Sequence, residues 1–74
     1  MPIEKLKQYF ESEYNLTRPT KHQPSVNKED IFRAIQRCLG AAYLAWMMGA
    51  DWGEVELAFN AIKERLDKLE AFVR

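Results

Sequence analysis

The stretch CLGAAYLAWMMGA, Cys38 to Ala50, runs for thirteen residues without a charge in a chain of 74 of which 30% are charged. Spanning a bilayer takes about 20 apolar residues, and a run of this length belongs instead to a core helix. Leu, Ala and Met favour the helix, and the isolated Gly40 costs it only about 1 kcal/mol relative to Ala. Working outward, Phe32, Ile35, Leu39, Ala42 and Trp46 recur at spacings of three and four and form one apolar stripe, flanked by Ile31 and Cys38. On the opposite side Arg33 and Arg37 give way, past Gly40, to Ala41, Leu44, Met47 and Met48. A solvated face thus becomes apolar halfway along the helix.

The limits of this helix follow from capping chemistry. Asn27 suits an N-cap, Asp30 stands three residues on in the manner of a capping box, and Val26 with Ile31 fits a hydrophobic staple. The spacing predicts a helix from about 28 to 48, closed by Gly49 in a left-handed conformation. Asp51 with Glu54, and Ala50 with Val55, repeat the signals at once, so a further helix is expected from about 52 to 73. Its seam, Trp52, Val55, Phe59, Ile62, Leu66, Leu69 and Val73, is the cleanest periodicity in the chain. Helices of similar length joined by a short turn form an antiparallel hairpin.

At the amino end, Ile3, Leu6, Phe10 and Tyr14 predict a short amphipathic helix over about 2 to 14, with Pro2 at its first position and Glu4 at the positive end of the helix dipole. From 15 to 27 the period stops, and two prolines among polar residues read as a loop. The loop and its surroundings hold Arg18, Lys21, His22 and Lys28, the most basic local region.

These elements predict a single small all-α domain over 1–74, a helical hairpin plus a short N-terminal helix in a three-helix bundle. The Phe32–Trp46 stripe should meet the Trp52–Val73 seam as the core, with the first helix as a lid on the second face of the middle helix. Leu57 and Phe72 lie off the main seam, and so small a chain gains core by sharing it. A homodimer with a four-helix core is therefore expected.

For chemistry the sequence offers little. One cysteine excludes an internal disulfide, and without a signal peptide or lipidation motif the expected location is cytoplasmic. Cys38 on an apolar face reads as a small buried hydrophobe. One Cys and one His provide no zinc spacing, and phosphate-binding, nucleophile-elbow and HExxH motifs are absent from the sequence. Neither catalysis nor a cofactor is expected.

Two readings of function remain. In the first, the chain is a small protein-interaction module, an adaptor, regulator or small subunit, that binds through Ala41, Tyr43, Leu44, Met47, Met48, Leu57 and Phe72. The alternative is nucleic-acid binding through Arg18, Lys21, Lys28, Arg33 and Arg37. A balance of eleven basic and eleven acidic residues gives that alternative no global electrostatic support. Asp51, Glu54 and Glu56 at the start of the last helix would repel a nucleic-acid backbone, and Glu29 is placed to pair with Arg33.

Overall fold

The structure is a computed structural model that describes residues 2–74, and these residues form three packed α-helices without a strand. Helix α1 spans Ile3–Thr17, α2 Lys28–Met47 and α3 Trp52–Lys68, and a 3-10 turn over Leu69–Phe72 follows α3. No helix among the described residues is long and apolar enough to cross a membrane.

The caps explain where α2 and α3 begin. Asn27 Oδ1 accepts a hydrogen bond from the Glu29 amide at 2.8 Å, and Asp51 Oδ2 accepts from the Glu54 amide at 3.1 Å. Pro2 is the N-cap of α1 rather than its first helical residue, with extended backbone and no side-chain cap. Between α2 and α3 the chain turns at Gly49, whose φ of 101° is open to glycine at little cost. There the Ala50 amide donates to Ala45 O and the Gly49 amide to Trp46 O, both at 3.0 Å. This pair of bonds is a Schellman motif, and it satisfies carbonyls that the end of α2 would otherwise leave open.

Two elements differ from the expected boundaries. Helix α1 continues one turn past Tyr14, since Thr17 Oγ1 donates to Glu13 O at 2.8 Å and holds the last turn together. The last helix stops being α-helical at Lys68 and tightens into the 3-10 turn, after which Val73 forms a parallel bridge with Val26. The Val26 amide donates to Phe72 O at 2.9 Å. The loop from Arg18 to Asn27 thus ends pinned against the end of the last helix. Within it Thr20 and Gln23 exchange backbone bonds at 2.9 and 3.2 Å.

The core lies where the three helices meet and contains Leu6 and Phe10 of α1, Val55, Ile62 and Leu66 of α3, Leu69, and Val26 beside Ile31 of α2. Helix α2 otherwise contributes only small side chains, Ala34, Cys38, Ala42 and Ala45, each almost fully buried. The expected stripe on α2 is therefore corrected. Phe32 and Trp46 are exposed, Ile35 and Leu39 are half-buried, and of that set only Ala42 is buried. At about 100° per residue, the buried line is turned by roughly 80° from the expected one. The cause is α1, which packs on α2 nearly as extensively as α3 does and draws the buried centre line toward the bisector of the two contacts. Small residues on that line let both neighbours approach closely. The bulky side chains of α2 are left outside.

Candidate functional site: the outer face of α2

The second half of α2 is apolar in every direction. Ala42 and Ala45 point into the core, Tyr43 and Trp46 lie on the side of α3, and Ala41 and Leu44 line a groove against α1. Met47 completes the outward side. A helix that is hydrophobic all round is normally buried all round. Here Leu44 is 56%, Met47 73% and Met48 61% exposed, so α1 does not act as a lid on them. The helix packs beside the half-buried Ala41 and leaves Leu44 at the rim of the groove between the two helices.

Three aromatic rings extend this surface onto α3. Tyr43 stacks on Trp52 with centroids 5.8 Å apart and planes 20° from parallel, and Trp46 meets Trp52 edge to face at 5.6 Å. Such pairs contribute about 0.5–1.5 kcal/mol each beyond area burial. They hold the rings in place while all three remain substantially exposed. On the other side of α2, a groove of about 420 Å³ runs between α1 and α2, lined by Leu6, Tyr9, Arg37, Gly40, Ala41 and Leu44. At Gly40 a Cβ would meet nothing within 4 Å, so no contact among the described residues requires a glycine there.

The remaining interaction candidates lie apart from this face. Leu57, 73% exposed, lines a shallow cleft with Ile3, Glu4 and Lys7 between α1 and α3. Phe72 is half exposed in the 3-10 turn, near the bridge to Val26. Trp52, expected at the head of the α3 seam, belongs instead to the exposed ring cluster.

The five basic candidates do not form one free face. Arg37 donates its Nε–H to both oxygens of Glu13, at 2.9 and 3.1 Å, and is thereby committed to the α1–α2 interface. Arg33 lies 3.4 Å from Glu29 and 3.7 Å from Asp30 on its own helix. Arg18 and Lys28 line a polar cleft of about 520 Å³ between the loop and the chain end, shared with Asp30 and Arg74, and Lys21 is exposed in the loop.

Glu13 escapes a reading of α1 as Ile3, Leu6, Phe10 and Tyr14. The buried line is instead Leu6, Phe10, Glu13 and Thr17. The signal was a carboxylate at the helical period of Leu6 and Phe10, with an arginine available across the interface. A second cross-helix tie joins α1 to α3, where Arg65 pairs with Glu11 at 2.6 Å and lies 4.1 Å over the Tyr14 ring. Burial, and secondarily the Glu13 carboxylate, raises the Tyr9 hydroxyl above its ordinary pKa.

Cys38 is fully buried, and desolvation, reinforced by Glu13, pushes its thiol up to about 11. A thiol in that state is a poor nucleophile at neutral pH. His22 is exposed in the loop, and no group of three or more His, Cys, Asp or Glu side chains among the described residues could hold a metal ion. No family model matches the chain, and no curated protein or solved structure shows significant similarity to it.

Proposed function

We propose that this chain is a helix-mediated protein-interaction module built on an antiparallel α2–α3 hairpin, that it works as a homodimer, and that it acts by binding rather than by catalysis. The observation that carries the reading is the outer face of α2. Tyr9, Tyr43, Leu44, Trp46, Met47, Met48 and Trp52 are between 38 and 73% exposed. With ~200 Å² for a large apolar side chain, they leave roughly 700 Å² of apolar surface in water. Spread over α2 and its two flanks, that area compares with the ~800 Å² that each partner contributes to a standard interface. Aromatic and methionine side chains also suit such a surface, the first as rigid anchors and the second as adaptable filler. The nucleic-acid alternative is weaker because Arg33 and Arg37 are each engaged by carboxylates.

Leu44→Glu and Met48→Glu test the reading. Both positions are exposed, so helicity by circular dichroism should stay within error of wild type. Association read by sedimentation, and cross-linking from a photoreactive residue at Tyr43, should weaken by about 100-fold, equivalent to ~3 kcal/mol. Undiminished association and cross-linking in both variants would place the working surface elsewhere.

A further inference from the structure

The outer face of α2 has a shape and a charge distribution that favour one occupant. Gly40, Leu44 and Met47 stand at i, i+4 and i+7, on one ridge of the helix, with Tyr43 beside them. The ridge begins with a gap at Gly40 and ends with a flexible knob at Met47. Nothing among the described residues uses the gap, since a Cβ there would meet no atom within 4 Å, yet a mid-helix glycine destabilises the helix that contains it. Among the described residues nothing covers the knob either, since Met47 is the most exposed side chain of the face.

We propose that a second copy of this chain docks here with its α2 antiparallel to the first, centred between Tyr43 and Leu44, so that Met47 of each copy fills the gap at Gly40 of the other. This deepens the interaction reading, on which it rests, by naming the face and the register through which two copies meet. A two-fold interface sets a patch against itself, which is tolerable only where the patch holds no charge, and residues 38–50 hold none. The buried area suits a second copy. Two faces of roughly 700 Å² give at most about 1,400 Å² in total, which reaches the 1,200–2,000 Å² range of stable interfaces when the flanking rings are covered with the ridge.

The order of gap and knob along the ridge fixes the direction. In the antiparallel register, α2 positions whose numbers sum to 87 lie level with each other, and Arg37 of one copy comes level with the turn that follows α2 in the other, beside Asp51. A parallel register would bring Gly40 opposite Gly40 and Met47 opposite Met47, leaving two gaps and two colliding knobs. It would also bring the arginines level with each other.

The test is an exchange of knob and gap. Wild type should show a concentration-dependent rise toward twice 8.7 kDa by sedimentation equilibrium. Gly40→Met removes the gap and should weaken the dimer at least 10-fold while its fold stays intact, since the site is open in the monomer. Gly40→Met combined with Met47→Gly recreates the pairing with the roles exchanged, and should recover most of that loss. Failure of the exchange to rescue a weakened Gly40→Met dimer would overturn the antiparallel register, and so would a Gly40→Met dimer as tight as wild type. A wild-type chain that stays monomeric up to roughly 1 mM, where association would be weaker than about −4 kcal/mol, would overturn the second copy as occupant. That outcome would remove the homodimer from the proposed function as well, whereas a dimer that forms but is not rescued by the exchange overturns the register alone, so the two failures are distinguishable.

Discussion

The pair formed by Glu13 and Arg37 makes an asymmetric prediction. The two partners stand in different surroundings, the Glu13 side chain being 9% exposed and that of Arg37 50%. Replacing Glu13 by Gln removes two charge-assisted hydrogen bonds at 2.9 and 3.1 Å, but the arginine left behind can return to water. Hydrogen bonds to charged groups contribute about 1.5–3 kcal/mol, and screening at a half-exposed partner reduces this, so the expected cost is about 1 kcal/mol. Replacing Arg37 by Gln strands a carboxylate inside the α1–α2 interface. Stranding a fully buried charge costs 3–5 kcal/mol, and the partial access of water here lowers the expectation to about 2–3 kcal/mol. For a domain of this size each kcal/mol moves Tm by about 4–8 °C, so Arg37→Gln should melt well below Glu13→Gln. Urea denaturation followed by circular dichroism gives both values, and the double variant should lie near Glu13→Gln because the stranded charge is gone. Equal losses in the two single variants, or a larger loss for Glu13→Gln, would refute the assignment of Glu13 as the desolvated member.

Three further outcomes follow from local geometry. Gly40→Ala, measured in a dilution where the chain is monomeric, should raise stability by about 1 kcal/mol, whereas Gly49→Ala at φ 101° should lower it by about 1–2 kcal/mol; thermal melts read the opposite signs. Asp51→Ala removes the acceptor for the Glu54 amide and should cost about 1 kcal/mol in the same assay. Cys38 should label with a thiol reagent at neutral pH only at the rate of chain opening. Its pKa is raised in the fold, so its stabilising contribution is complete below the unfolded value near 9.0 and is lost as pH climbs toward about 11. A urea midpoint that falls over this alkaline range in wild type, and falls less in Cys38→Ala, is the expected result.

Much of the architecture was legible because the deciding signals are local. Asn27, Gly49 and Asp51 mark helix ends through hydrogen bonds within a few residues, and the seam from Val55 to Leu66 is a regular period on one helix. The rotation of α2 was not legible, because it depends on the packing of α1, a contact between distant parts of the chain. A stripe chosen for hydrophobic bulk selects Phe32 and Trp46, whereas close packing of three helices selects Ala34, Cys38 and Ala45. Of the candidate site, Leu44, Met47 and Met48 could be found because they interrupt the polar face of an amphipathic helix. Trp52 could not be separated from the seam by period alone, and the commitment of Arg37 to Glu13 required knowing which residue of α1 faces it.

The small residues along the buried line of α2 bear on how the chain tolerates change. In most helices the inner positions are sensitive to truncation, because a large side chain leaves a cavity when it is shortened. Along this helix Ala34, Cys38, Ala42 and Ala45 leave almost nothing to truncate, and enlargement is the damaging change there, with added methylenes in a close-packed interior costing about 1–3 kcal/mol. The outer positions reverse the usual pattern as well, since Tyr43, Leu44 and Met47 could be made polar without loss of the fold. A saturation library scored for folding alone would therefore favour variants of α2 that are small inside and hydrophilic outside, and under the proposed function a score for assembly would restore the sequence that the chain carries.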